Sequence, residues 1–458
     1  MITLAINWSQ VGLQAGYLIF SLSILVILHE FGHYITAKWF KCRVEKFYLF
    51  FDPWFSIFKK KVGETEYGVG WLPLGGYVKI SGMVDESLDK EQMKQPPQPW
   101  EFRSKPAWQR LIIMLAGITM NVLLAFFLYA MILYTWGDKK TPIQNVSNGI
   151  SITDSLMYRL GFKNGDKILA VNDEPIVYYE DILKKLLLGE KVTVERDEQQ
   201  TTINLPADLL GQLVQKKRSG TPLFQERAPV IIANVPDTSI AKQEGLKQYD
   251  RIVAIDSIAT PFYDILNQST ANKKGEDVHL KVIRDGKEML VNAKISNDGK
   301  LGFYTFVAPD DLDSLGIIKM QNNKYSFLAS FPAGVKKTGS QLSFYIDQFK
   351  KILSPKTGAY KGLGGFKAMA SIFPKNSWDW EAFWEITAFF SIVLAFMNLL
   401  PIPALDGGHV LFTLIEMITG RKPSDKFLEY AQIAGMVLLF SLMIFANGND
   451  WFGWGRGK

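Results

Sequence analysis

Cysteine and a strong excess of either charge are both missing from this sequence. The 458 residues include a single cysteine, Cys42, so the chain cannot form an internal disulfide or a metal cluster built on cysteines. The formal net charge is only +6, and without a basic stripe this argues against a nucleic-acid-binding protein. Charged residues are absent from Met1 to Leu28, which leaves a long apolar run at the start of the chain.

Four segments are apolar and long enough to cross a bilayer as helices, which takes about 20 residues. They are predicted at about residues 11–37, 111–135, 386–405 and 431–447. The first has no basic residue ahead of its apolar run and no small-residue cleavage site, so we expect a retained span rather than a signal peptide. Residues 38–110 carry thirteen lysines and arginines, which predicts a cytoplasmic loop and places residues 136–380 outside.

The first span contains ionisable side chains in the stretch His29-Glu30-Phe31-Gly32-His33. Histidines four residues apart lie on one helical face and can bind one zinc ion, while the glutamate can take a proton from water. The alternative is a chance match in a helix with no metal. Burying three such groups without partners in lipid would be costly, and this favours a shared metal.

Asp406 is the best candidate for a third metal ligand, because it is the first charged residue after the third span. Pro401 and Pro403 make the preceding backbone poor as helix, so the chain can turn a carboxylate inward. Gly407 and Gly408 would allow a tight turn there. The alternative is an aspartate at a helix end that faces water.

An internal repeat lies between spans two and three. Residues 161–176 align without gaps on residues 245–260, at an offset of 84 positions. Alternating segments at 192–205 and 278–293 follow the two copies and predict strand pairs. The pattern resembles tandem PDZ domains, β-rich modules that bind extended peptides by strand addition. Whether the grooves bind peptide or the domains act as bulk stays open.

The segment 67–83 is apolar, rich in glycine and interrupted by Pro73, which predicts two short strands with a turn at Gly75-Gly76. An ordinary surface hairpin is the alternative. Residues 331–353 predict an amphipathic helix that leads back to the membrane. Asn121, about ten residues into the second span, requires a hydrogen-bonding partner, and Gly117 lets a neighbouring helix approach.

The motif at 29–33, the stretch NLLPIPALDGG at 398–408 and the long insertion together resemble the site-2 protease family of intramembrane zinc metalloproteases. The resemblance implies that Zn²⁺ is held by His29, His33 and Asp406. It implies that Glu30 is the catalytic base.

The same resemblance suggests which residues contact the substrate. It implies that Asn398 helps hold the substrate backbone near the metal, and that the hairpin around Gly75 and Gly76 pairs with substrate as an added strand. The GxxxN pattern ending at Asn121 also matches the family. Asn121 is therefore a further candidate for substrate binding, with helix packing as the alternative.

The expected fold is a polytopic α-helical membrane protein with about four transmembrane helices and a tandem pair of β-rich PDZ domains inserted between spans two and three. Residues 1–137 are expected to hold the first two transmembrane helices and a cytoplasmic, membrane-associated hairpin loop. The PDZ-like domains are predicted at 138–212 and 225–305. A connector with an amphipathic helix is expected at 306–380, and the last two transmembrane helices at 381–458.

The resemblance implies cleavage of the transmembrane segment of single-span membrane proteins, such as an anti-sigma factor or a remnant signal peptide. Expected partners are these substrates, the lipid bilayer and extended peptides at the PDZ domains, with no nucleic acid. The expected location is the bacterial inner membrane, with the active site near its cytoplasmic side and the PDZ domains outside. One alternative is a silent PDZ scaffold, which loss of Glu30 or a histidine would have favoured. Another is a zinc transporter or sensor; the other spans offer no second polar relay, which speaks against transport.

Overall fold

The computed structural model describes residues 7–73, 75–83, 96–215 and 222–455. The chain forms two compact units. The helical unit comprises Met1–Gly137, Lys324–Leu353 and Tyr360–Lys458, and the β-rich unit comprises Asp138–Asn323 and Ser354–Ala359.

The α-helices of the described residues are numbered along the chain. They are α1 (Trp8–Trp39), α2 (Ala107–Thr135), α3 (Ser155–Arg159), α4 (Glu180–Leu188), α5 (Leu209–Gln215), α6 (Ile240–Gln243), α7 (Tyr263–Ala271), α8 (Pro309–Ser314), α9 (Phe327–Leu353), α10 (Phe366–Ser371), α11 (Trp380–Leu399), α12 (Asp406–Thr419) and α13 (Asp425–Phe452). Within the described residues, α1, α2, α11 and α13 are long and apolar enough to cross a membrane, as predicted.

The strands are numbered in the same way. They are β1 (Val44–Leu49), β2 (Phe51–Val62), β3 (Thr65–Leu72), β4 (Tyr77–Ile80), β5 (Asp138–Lys140), β6 (Ile150–Ile152), β7 (Lys167–Val171), β8 (Glu174–Pro175), β9 (Lys191–Arg196), β10 (Gln199–Asn204), β11 (Phe224–Glu226), β12 (Val230–Asn234), β13 (Arg251–Ile255), β14 (Ile258–Ala259), β15 (Asp277–Arg284), β16 (Lys287–Lys294), β17 (Tyr304–Thr305) and β18 (Gln321–Asn323).

Polar side chains mark the starts of three of the spans. The side chain of Asn7 accepts a hydrogen bond from the backbone of Gln10 at the start of α1. Asp379 does the same at the start of α11, and Ser424 at the start of α13. These caps satisfy backbone N–H groups that have no partner inside the helix, so each span begins at a defined residue.

The second span, α2, lies at the centre of the helical unit, and small residues bring its neighbours close. A Cβ atom on Gly32 of α1 would lie 2.5 Å from the carbonyl oxygen of Ala116. A Cβ atom on Gly334 of α9 would lie 2.7 Å from the backbone nitrogen of Ala130. Ser391 of α11 donates a 2.7 Å hydrogen bond to the backbone oxygen of Asn121. Close backbone approach through small residues is the usual way in which helices pack in lipid.

A four-stranded sheet connects α1 to α2 in the order β2-β3-β1-β4. Strand β1 pairs in parallel with β3 and antiparallel with β4, while β2 and β3 form the hairpin. The predicted hairpin over 67–83 is therefore wrong in its pairing, because β1 lies between the two predicted strands and bonds to both. Leu74, inside the predicted turn region, lies outside the described residues.

The β-rich unit contains the same arrangement of strands in two copies. The first copy has a sheet in the order β10-β9-β7-β8, and the second contains the order β16-β15-β13-β12-β17 with β14 beside β13. Strand β11 pairs with β6, so the first copy continues to Glu226 rather than ending at the predicted residue 212. Each copy encloses its own hydrophobic core.

The same buried ion pair recurs in both copies. Arg196 donates two 2.8 Å hydrogen bonds to the carboxylate of Asp166, and Arg284 donates bonds of 2.7 and 2.6 Å to Asp250. Both aspartates are fully buried. Each guanidinium also bonds a glycine carbonyl at 2.8 Å, and these glycines and aspartates are identical positions of the sequence repeat. The repeat found in the sequence is thus a repeat in structure.

Candidate metal centre

Three candidate ligand atoms from distant parts of the chain meet in the helical unit. The Nε2 atoms of His29 and His33 lie 3.3 Å apart, and Asp406 Oδ2 lies 3.2 Å from each. A tetrahedral zinc ion with bonds of about 2.0–2.1 Å holds neighbouring ligand atoms about 3.3 Å apart. The separations therefore match three corners of a zinc tetrahedron.

The far side of each imidazole contacts a group of α2. His33 Nδ1 lies 2.8 Å from the carbonyl oxygen of Ile113 and donates to it, which leaves Nε2 with a free lone pair. His29 Nδ1 lies 3.2 Å from the side-chain amide of Asn121. The amide oxygen of Asn121 has no other partner among the described residues, and turning it toward His29 would satisfy both groups.

These contacts explain why the three ligand atoms fit a metal rather than a proton network. Asp406 Oδ2 is buried and accepts no well-aligned hydrogen bond from the described part of the chain. With both Nδ1 atoms occupied, two nitrogen lone pairs and one carboxylate oxygen converge on the same point. Nitrogen and oxygen ligands of this kind suit Zn²⁺, and three protein ligands leave one position for water or substrate.

The end of the third span delivers Asp406 to the histidines. Helix α11 ends at Leu399, and α12 begins at Asp406 after an irregular stretch that contains the two prolines. A Cβ atom on Gly407 would overlap the carbonyl oxygen of Leu400, and one on Gly408 would lie 2.7 Å from that of Ile402. The glycines thus allow the folded-back backbone that the sequence predicts at this point.

Strand β4 lies directly beside Glu30. The carboxylate of Glu30 accepts a hydrogen bond from the backbone of Val78. Gly76 fits against α1 so closely that a Cβ atom would lie 2.7 Å from Val26 Cγ1 and 3.4 Å from Glu30 Cγ. Gly75 has a φ of +153°, which a larger residue adopts with strain. Since β4 is at one end of the sheet order, one of its edges has no strand partner among the described residues.

Asn398 and Gly117 complete the surroundings of the histidines. The side-chain amide of Asn398 lies 3.2 Å from His29 Nε2, so this predicted substrate-binding residue adjoins the ligand cluster. A Cβ atom on Gly117 would overlap His33 Nε2 and lie 2.8 Å from His29 Cε1. Sequence reasoning related Gly117 only to helix packing, although its position one turn before Asn121 places both on the same helical face.

Asn121 lies behind His29, on the side of the imidazole away from the ligand cluster. Its side chain is fully buried, and its contact is to the Nδ1 atom of His29 rather than to the Nε2 atom in the cluster. Substrate binding by Asn121 stays a prediction. The contact suits a residue that orients a metal ligand.

Strands β1 and β2 were not predicted from the sequence, although β2 forms a side-chain hydrogen bond with the edge strand β4. Tyr77 of β4 donates a 2.8 Å hydrogen bond to Asp52 of β2. Burial, together with Asp52, raises the pKa of Tyr77, so its hydroxyl stays a donor at neutral pH. The apolar and aromatic residues around this aspartate could have indicated a strand.

Comparison with known proteins identifies the family of this chain. The model of peptidase family M50 matches residues 17–442. The chain is 27% identical over 453 residues to the "Regulator of sigma E protease" of Haemophilus influenzae, covering 95% of this chain and 98% of that protein. It is 27% identical over 458 residues to a "Putative zinc metalloprotease" of Treponema pallidum, covering 94% and 96%. A protein of the same name from Xylella fastidiosa is 28% identical over 458 residues, covering 95% and 98%.

The family match covers most of the chain, and the relatives align over nearly their whole length. The resemblance expected from the two sequence motifs is thereby confirmed, as are zinc and metalloprotease activity. The protein is a membrane zinc metalloprotease that belongs to peptidase family M50.

Proposed function

We propose that this protease cuts the membrane-spanning segment of single-span membrane proteins, with zinc held by His29, His33 and Asp406. One observation carries the proposal: the three ligand atoms meet at 3.2–3.3 Å where α1, a helix long and apolar enough to span a bilayer, contacts the start of α12. A site at that depth reaches peptide bonds that a water-soluble protease does not.

Glu30 is the residue placed for proton transfer. Zinc, when bound, polarises the scissile carbonyl and lowers the pKa of water to about 7. Glu30 would take the proton from the attacking water and pass it to the leaving amine. A hydrogen bond from the backbone of Val78 would help to orient its carboxylate for this transfer.

The substrate would bind as an extended strand along β4. A transmembrane helix hides its carbonyl groups in its own hydrogen bonds, so cleavage requires local unwinding. The edge of β4, with Gly75 and Gly76 at its start, can replace those bonds by strand addition. The amide of Asn398, next to His29, would hold the substrate backbone near the metal.

Asn121 and Ile113 would act through the histidines. Their contacts to the two Nδ1 atoms hold the imidazole rings with Nε2 directed at the metal. Partners of this kind raise metal affinity, because they fix both the tautomer and the ring orientation of a ligand.

The membrane arrangement follows from the charge distribution. The loop of residues 38–110 would face the cytoplasm, which places the β-rich unit on the outer side of the bacterial inner membrane and the metal centre near the cytoplasmic side. The two copies in the β-rich unit would act as a tandem PDZ pair, able to bind extended peptides. Anti-sigma factors and remnant signal peptides are the substrate classes that fit, and the name of the Haemophilus influenzae relative favours the former.

The test uses Glu30→Gln in proteoliposomes with a single-span substrate. We expect cleavage to fall by about 10²–10⁴-fold, because the proton acceptor is lost, while bound zinc stays near one per chain. Mass spectrometry of the products should place the cut inside the apolar segment. Glu385→Gln, which removes an exposed carboxylate paired with Lys337 in the same unit, is the matched control and should cleave normally. Unchanged cleavage by Glu30→Gln would refute the assignment.

A further inference from the structure

A second group of polar side chains lies in the β-rich unit, among residues that the protease reaction does not use. Glu226 of β11 is 6% exposed, and neither of its carboxylate oxygens has a hydrogen-bond partner among the described residues. The hydroxyl of Thr141 is also buried without a partner in that part of the chain. Buried oxygens of this kind are costly unless something binds them.

Glu180, the first residue of α4, joins these two residues. Its carboxylate accepts hydrogen bonds of 2.9 and 3.1 Å from the backbone N–H of Thr141. It also repels Glu226: burial, together with Glu180, raises the pKa of Glu226 to about 7. The ring of Tyr179 packs edge-on against the ring of Phe224, two residues before Glu226. This aromatic pair forms the apolar side of the polar group.

Neither a proton nor water alone satisfies this arrangement. A proton on Glu226 neutralises one charge and supplies one donor, which leaves its second oxygen and the hydroxyl of Thr141 unpaired. Water can bond to these oxygens but does not remove the repulsion between the two carboxylates. A hard cation does both, since carboxylate and hydroxyl oxygens are the ligands that Ca²⁺ and Mg²⁺ prefer.

We propose that Glu226, Glu180 and the hydroxyl of Thr141 form a binding site for a divalent cation of the Ca²⁺ type. Glu180 is exposed and provides the access route from solvent, whereas Glu226 and Thr141 form the buried end. A cation bound here would connect β11, the segment that contains Thr141 and the start of α4. These three segments are distant in sequence. Calcium sites in extracellular modules have dissociation constants on the order of 10⁻⁴–10⁻³ M, and we expect this site in the same range.

The test is calorimetric titration of the full-length, zinc-loaded protein in detergent with CaCl₂, and separately with MgCl₂, at pH 7.5. We expect about one Ca²⁺ per chain, and affinity at least about tenfold weaker in Glu226→Gln and in Glu180→Gln. Thr141→Val, which removes only the hydroxyl, should weaken binding less. Glu174→Gln is the matched control, because Glu174 is an exposed carboxylate of the same copy that pairs with Lys185.

Hydrogen exchange of the β6 and β11 amides checks that each variant is folded and gives a second readout. Calcium should slow exchange there in the unmodified protein and have no effect in Glu226→Gln. The proposal is overturned if the folded protein binds no calcium, or if Glu226→Gln binds it with unchanged affinity. If calcium has no effect and Glu226→Gln instead slows exchange above pH 7, Glu226 is a protonated acid and no cation site exists.

Discussion

Small residues decide how closely α2 approaches the metal centre. Gly117 lies against both imidazoles, and Gly32, inside the histidine motif, lies against Ala116. Gly117 was recognised in the sequence as a glycine that permits close approach, but its partners were not, and Gly32 was not singled out. A glycine in a helix signals that something is near, whereas the identity of that neighbour depends on helices that are distant in sequence.

At the residue scale, we predict that Gly117→Ala disrupts zinc binding. The added methyl group would overlap His33 Nε2, so one ligand must move out of line. We expect at least about a tenfold loss of zinc affinity, with a parallel loss of cleavage, measured by competition with a chelator of known affinity. Gly16→Ala in α1 is the control, because its Cβ atom would contact nothing within 4 Å. Equal zinc affinity in the two variants would contradict the geometry described here.

At the scale of elements, the spans were predictable and the sheet order was not. An uncharged run of about 20 residues reports burial in lipid directly, so α1, α2, α11 and α13 follow from composition. The placement of β1 between β3 and β4 depends on backbone bonds between separate segments, and nothing in residues 67–83 encodes a third strand. The Asp–Arg pairs were partly visible, since Asp166 and Asp250 occupy matching positions of the repeat.

The packing of α9 on α2 gives the prediction for an element. Ser330, Gly334 and Thr338 form a buried stripe of small residues on α9. A Cβ atom on Gly334 would lie 2.7 Å from the backbone of Ala130, so Gly334→Ala should lower the free energy of unfolding by about 1–3 kcal/mol. Gly339→Ala, one and a half turns further along in open space, should raise it by about 0.5–1 kcal/mol. Unfolding by SDS in mixed micelles measures the free energy of unfolding of both variants. If neither variant lost stability, the contact of Gly334 with α2 would be excluded.

At the scale of the whole molecule, sequence motifs located the chemistry and the helical unit supplied its surroundings. His29, His33 and Asp406 were identified from spacing, apolar context and family resemblance before their separations were known. Sequence reasoning could not find Ile113, because its contribution is a backbone carbonyl that any residue carries. The side-chain contact of Asn121 was predicted only as a need for some partner.

The predicted orientation is tested by thiol labelling in intact cells. Cys42 is the only cysteine, so Cys42→Ser provides an unreactive background for single additions at exposed sites. With a membrane-impermeant maleimide, Glu198→Cys between β9 and β10 should react in cells with a permeable outer membrane. Lys60→Cys in β2 should react only after the inner membrane is opened, because the thirteen basic residues of its loop predict that the loop faces the cytoplasm. The reverse pattern would invert the proposed topology.

The contacts of α2 with both imidazoles limit how a substrate can enter the protease. Ile113 and Asn121 of α2 contact the imidazole rings of the two histidines of α1. Separating α1 from α2 would therefore rotate both rings and move the ligand atoms apart. The first two spans, α1 and α2, should therefore move together as one rigid unit. An incoming polypeptide should therefore reach the metal beside the edge of β4 that has no strand partner among the described residues, without separating α1 from α2.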